Sequence, residues 1–258
     1  RRRKVRDTLM QQNFESRMHE FARQALCAAQ SAGISPAEAT LSLSESFSAR
    51  VREQKLEDYK VSDRFHLVLR GAWQGRIGTA STQAMDEESL GMLVQGVKES
   101  AELIETDEQD EILPPEERYD SVCNYSEAME RISAQDKIAL AMRIDARLAN
   151  SDARIKPDAS LVASTSETFA LKNTLGLDLS HRSNMIYAYA SCLAKEGEHA
   201  ATGFKLLWGY DMEDVDALSV ADGCAGDALE KLGAGRLASG ARSVVIRNNA
   251  MADLLSTF

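Results

Sequence analysis

The chain has 258 residues, 44% of them hydrophobic, 27% charged and 6% aromatic, a balance that excludes a disordered, collagenous or membrane-embedded chain. At this length one large domain or two of ordinary size bury enough surface to fold without disulfides. The net charge is −10, but residues 86–120 hold 13 acids and 2 bases, leaving 28 bases against 27 acids elsewhere.

A nucleic-acid binder needs a basic face that displaces counterions from phosphate. The only basic cluster is Arg1–Arg6, which reads as a solvated helix start, so direct nucleic-acid contact is not expected. No apolar run approaches the roughly 20 residues that cross a bilayer, and no apolar h-region follows the N-terminal arginines. With no such span, no membrane contact is expected; Cys27, Cys123, Cys192 and Cys224 are scattered without a Cys-x-x-Cys pair, which fits a reducing cytoplasm. The first residue is not Met and Phe258 falls in what reads as a new helix, so the chain is expected to be a piece of a longer one.

From Asp7 to Ala32, Met18, Phe21, Ala22, Ala25, Leu26 and Ala29 form a helical stripe that Gly33 closes. After Pro36 the period becomes two: Ala37, Leu41, Leu43, Phe47, Ala49 and Val51 alternate with polar residues, which predicts a strand. Further strands are predicted over 56–62, 65–70 and 76–81, the last two joined by a turn at Gly71–Gly75. Asp86 is placed to cap a helix with the stripe Leu90, Leu93, Val94, Val97, Ala101 and Ile104.

Residues 105–125 are acidic, contain Pro114-Pro115 and lose periodicity, which reads as a linker. Ser133 with Asp136 resembles a capping box opening a helix through Leu148. Strands are predicted over 160–165, 168–173, 177–182, 185–194 and 200–208, with turns at Ser166-Glu167, 173–176 and 195–198. A helix over Val215–Leu232 ending at Gly233, a strand at Ser243–Arg247 and a helix from Ala250 complete the chain. Strands grouped between helices indicate an α+β fold: two units of antiparallel sheet flanked by helices, plus the start of a C-terminal domain. The expected divisions are an N-terminal domain at 1–104, an acidic linker at 105–125, a middle domain at 126–240 and the C-terminal start at 241–258.

No catalytic, cofactor-binding or metal-binding set emerges from spacing. His19-Glu20 lacks the second histidine of a zincin helix, because position 23 is Arg. His66, His181 and His199 sit in strands or turns without a local partner, and convergence of the three in space is the remaining route to a metal. The glycines of 71–78 and 233–235 match neither Rossmann nor Walker spacing, and the acidic stretch lacks the ligand pattern of a calcium loop.

The passage Arg70-Gly71-Ala72-Trp73-Gln74-Gly75-Arg76-Ile77-Gly78-Thr79-Ala80-Ser81-Thr82, with the helix from Asp86, resembles the N-terminal domain of the TldD/PmbA family, once described as modulators of DNA gyrase. Asp152–Ile155, the Leu171–Gly176 hairpin and Ala228–Ala234 leading to Ser243–Ile246 look like that family's middle domain and the start of its C-terminal one. The resemblance implies a cytoplasmic two-subunit metallopeptidase acting on peptides or unfolded proteins. It also implies zinc on a His-Glu-x-x-x-His helix of the TldD-like subunit. The helix set against it here, 134–150, has no histidine, so the resemblance is to the PmbA (TldE) subunit, with no zinc of its own and with a TldD-like chain or a second copy as partner. The alternatives are a non-enzymatic regulator that contacts a topoisomerase such as gyrase, and a hydrolase whose nucleophile lies beyond Phe258.

Overall fold

The computed structural model describes residues 2–104, 110–235 and 237–257. Helix α1 (Arg2–Ser31) is followed by β1 (Ala37–Arg52), β2 (Lys55–Trp73), β3 (Arg76–Thr82) and α2 (Glu87–Leu103). Then come α3 (Glu127–Glu130), α4 (Ala134–Ala149), β4 (Ile155–Asn173), β5 (Asp178–Glu196), β6 (His199–Gly209), α5 (Ala217–Leu232) and α6 (Asn248–Leu255). Gly33 takes φ +82° after α1, the left-handed conformation a helix end favours. Asp86 accepts from Ser89 N to start α2, and Ser133 with Asp136 forms a reciprocal capping box at α4.

The fold is α+β, with all strands antiparallel in the order β3-β2-β1-β4-β5-β6. Pairing of β1 with β4, from Glu38↔Asn173 to Val51↔Ser160, joins the two groups of strands into one sheet. Helices cover one face of it in two layers. Ala39, Leu41 and Leu43 of β1 pack with Phe21, Ala25, Leu93 and Val97 of α1 and α2. Val51, on the same face of β1 by alternation, joins Leu140, Ile144, Val220 and Cys224 of α4 and α5. The two-unit plan is thus two helical cores on one sheet.

Each edge strand is packed against a helix in the same way. A Cβ on Gly78 of β3 would lie 1.9 Å from Val97 O of α2, and one on Gly203 of β6 would lie 2.2 Å from Cys224 O of α5. In both places only glycine lets the helix backbone approach the strand.

Several expected boundaries move. The strands predicted at 56–62 and 65–70 are one strand, β2; those at 160–165 and 168–173 are β4; those at 177–182 and 185–194 are β5. Ser166-Glu167, expected as a turn, pairs on both sides, with Glu45-Ser44 of β1 and Asn184-Ser183 of β5. The turn expected over Gly71–Gly75 narrows to Gln74-Gly75, both at positive φ. Asp216 caps α5, so that helix begins at Ala217 after a 3₁₀ turn at Met212–Asp214. Residues 243–247, expected as a strand, pair with none among the described residues, and Val244 and Val245 are exposed. The start of the acidic stretch, 105–109, lies outside the described residues, and 110–125 are irregular. That segment crosses the face away from the helices: Arg70 Nη2 reaches Asp110 at 2.5 Å, Asn173 Nδ2 donates to Leu113 O, and His181 Nε2 lies 2.6 Å from Asn124 Oδ1.

Candidate functional site

Between the two helical layers a cleft of about 160 Å³ opens over the sheet. Its floor is a polar row in register across four strands: Asp63 of β2, Glu45 of β1, Ser166 of β4 and Asn184 of β5. The next row on that face is Val61, Phe47, Ser164 and Ile186.

The wall comes from α3 and α4. Ser126 caps α3, and its backbone exchanges two bonds with the Asn184 side chain: Ser126 N donates to Oδ1 at 2.9 Å and Asn184 Nδ2 donates to Ser126 O at 2.8 Å. This fixes Glu130, whose Oε1 accepts from Ser166 Oγ at 2.6 Å and from Asn184 Nδ2 at 2.9 Å. One turn into α4, Lys137 turns back to the sheet. Its Nζ donates to the buried Ser164 Oγ at 2.7 Å and lies 5.2 Å from the centre of the Phe47 ring. Burial pushes the Lys137 pKa down, and Glu130 partly opposes that.

A serine hydroxyl bonded to a desolvated lysine has the parts of a nucleophile and its base. Ser164, however, lies in a strand flanked on both sides, paired with Phe47 and Ile186. The backbone N–H groups around it serve the two ladders and offer no oxyanion pocket. The arrangement is suited to holding a ligand: three carboxylates (Glu45, Asp63, Glu130), one ammonium, hydroxyl and amide groups, and apolar walls from Phe47, Val61 and Met129.

The residues weighed from the sequence fall elsewhere. His66 and His181 share a row on the face away from the helices, through Ser42 and Phe169, three strand spacings or about 14 Å apart. His199 pairs with Glu196 at the far end of β6, and His19 is half-buried on α1. Among the described residues, no group of three or more His, Cys, Asp or Glu side chains could hold a metal ion. Cys27 and Cys123 are exposed. Cys192 and Cys224, 32 positions apart, meet in the α5 core with Cys224 Sγ donating to Cys192 Sγ at 3.5 Å. That bond and burial raise the Cys224 pKa, while the same bond lowers that of Cys192. No helix among the described residues is long and apolar enough to cross a membrane.

Residues 37–101 match domain 1 of the PmbA/TldA metallopeptidases, and residues 127–235 match the central domain. No curated protein matches the sequence. Among solved structures, a proposed modulator of a DNA gyrase from Thermotoga maritima aligns with TM-score 0.76 at 18% identity, over 86% of this chain and 50% of its own. A second proposed modulator, from Bacteroides thetaiotaomicron, aligns at 0.77 and 19% identity, over 86% and 52%. TldE from Thermococcus kodakarensis aligns at 0.68 and 16% identity, over 80% and 46%. The chain spans about half the length of these proteins. With both domain matches in sequence order on one sheet, the chain belongs to the PmbA/TldD family.

Proposed function

We propose that this chain is a PmbA/TldE-like subunit of a cytoplasmic, heteromeric metallopeptidase that processes or degrades peptides, with zinc supplied by a TldD-like partner. The observation that carries the reading is the match to two domains of a metallopeptidase family in a chain whose four histidines lie on separate elements. The sheet supports it further. β3 and β6 are free edges among the described residues, and an extended peptide adds to such an edge through main-chain hydrogen bonds. This chain's own contribution is to bind and orient peptide; no reaction step is assigned to its residues.

A second reading, a regulator that touches DNA gyrase through protein contacts, is favoured by the description of two structural neighbours as proposed gyrase modulators. The near-neutral charge outside residues 86–120 argues against DNA itself as the ligand. The test is peptide hydrolysis by the full-length protein alone and mixed with a TldD-like chain. Activity only in the mixture supports the subunit; inactivity of both, with gyrase supercoiling altered by this protein, supports the regulator.

A further inference from the structure

The contact of α5 with β5 and β6 is built from very small side chains. Ala190 and Ala194 of β5 share one core with Ala221, Ala225 and Ala228 of α5, and Gly203, paired with Cys192, lets the helix backbone come down onto β6. Small residues at a contact let two backbones approach closely, and Cys224 O lies only 3.7 Å from Cys192 Sγ. Into this contact the chain brings two thiols from 32 positions apart, with 3.5 Å between their sulfurs, both buried.

The pair is directional. Cys224 Sγ donates to Cys192 Sγ, which favours a thiolate at Cys192 and lowers its pKa. Further along the same helix, Asp227 accepts from Phe204 N and Lys231 Nζ donates to Thr202 O, each at 3.2 Å. These are main-chain groups of β6, the last strand of the sheet, so the seating of α5 decides whether that stretch of the edge is occupied.

We propose that Cys192 and Cys224 form a redox-operated staple, closed to a disulfide by peroxide, that pins α5 to β5 and holds Asp227 and Lys231 on the edge of β6. The Cys192 thiolate attacks one peroxide oxygen; the O–O bond breaks, and the released hydroxide takes up the thiol proton and leaves as water. The sulfur of Cys224 then attacks that of the Cys192 sulfenic acid. The S–S bond forms, the S–O bond breaks, and the hydroxyl leaves as a second water with the Cys224 proton. Two thiols have lost two electrons, and hydrogen peroxide has gained them. The sulfurs must close from 3.5 Å to about 2.05 Å, a step made by small rotations of both side chains. Burial shields the pair, so peroxide enters when α5 lifts locally, and the waiting Cys224 intercepts the sulfenic acid before further oxidation.

The experiment treats the folded full-length protein with hydrogen peroxide, blocks the remaining thiols and maps its peptides by mass spectrometry without reduction. The expected result is a linked peptide pair carrying Cys192 and Cys224 that dithiothreitol separates. The oxidised protein is expected to melt about 5–10 °C higher, because a cross-link over 32 positions restricts the unfolded chain. Hydrogen exchange of α5 and of the Phe204 amide is expected to slow about tenfold. In Cys224→Ala, shown to be folded by circular dichroism, peroxide leaves the melting temperature unchanged, which separates the staple from oxidation of the exposed Cys27 and Cys123. If that variant does not fold, the peptide map and exchange of the parent decide alone. Oxidation of Cys27 and Cys123 with Cys192 and Cys224 still thiols, Cys192 carried to sulfinic acid without a link, or linkage only in urea overturns the proposal. A linked form that melts no higher, or whose α5 exchanges as before, overturns it equally.

Discussion

Gln54 donates both its backbone N–H and its side-chain Nε2 to a single oxygen, Asp145 Oδ2, at 2.8 and 2.7 Å. Asp145 is fully buried in α4, while Gln54 lies at the tip of the β1–β2 hairpin, 91 positions earlier. The tip is a two-residue turn between paired Arg52 and Lys55, with Glu53 at φ +49° and Gln54 at φ +59°. Both central residues at positive φ define the turn that suits strand twist, yet neither is Asn or Gly. The Asp145 carboxylate therefore holds a strained turn against the second core.

Asp145→Ala is expected to lower unfolding stability by about 1–3 kcal/mol, since two donors lose a buried acceptor. Glu53→Asn is expected to raise it by a few tenths to about 1 kcal/mol, because Asn tolerates the left-handed region. Urea denaturation of the two variants tests both signs; equal stability of Asp145→Ala and the parent would contradict the anchoring role.

Gly78→Ala and Gly203→Ala each drive a methyl group into a helix carbonyl, at 1.9 Å and 2.2 Å before relaxation. Each is expected to cost about 1–3 kcal/mol or more, as overpacking does. Gly75→Ala is strained instead by its φ of +81°, with nothing within 4 Å of the added carbon. Thermal melts should show the first two variants losing cooperativity between helix and edge strand. If both melt like the parent, the close approaches of α2 and α5 do not hold the edges.

Local chemistry was legible in the sequence. The caps at Asp86 and Ser133, the turn at Gly33 and the alternation along β1 each depend on residues within a few positions of one another. The long strands were not. Asp63-Arg64, Ser166-Glu167 and Ser183-Asn184 break the apolar period and read as turns or gaps, yet Asp63, Ser166 and Asn184 lie in one row with Glu45. Those interruptions were the signal of the cleft, and only cross-strand register shows that they coincide. Lys137 carried no signal of its own, because its partner Ser164 is 27 positions away. The meeting of Cys192 with Cys224 likewise depends on α5 docking over β5.

Lys137 links the cleft to pH. Burial lowers its pKa in the folded protein, whereas in the unfolded chain it titrates near the ordinary lysine value of about 10.4. Between those values the unfolded state binds more protons, so the contribution of Lys137 to stability rises with pH across that window and is at its lowest below the folded value. The parent is therefore expected to gain stability relative to Lys137→Met as pH rises toward about 10.4, measured by urea midpoints at several pH values. A difference that stays flat, or shrinks in the other direction, would show that Lys137 is not desolvated.

Residues 114–123 are exposed and irregular, and the contacts that tie this segment to the sheet lie on either side, at Asp110 and Leu113 and again at Asn124. Pro114-Pro115 removes two backbone donors, and the acids around it repel one another. Limited proteolysis is expected to cut first between Leu113 and Asn124, ahead of any site in the strands. The two pieces should stay together on a sizing column, because β1 and β4 pair continuously from residues 38 to 51 across the division. Mild urea should then part them at a lower concentration than unfolds the uncut chain, since the nick makes a long-range pairing intermolecular. First cleavage inside Ser160–Trp208, or separation of the pieces without denaturant, would mean that β1 and β4 do not bind the two cores into one sheet.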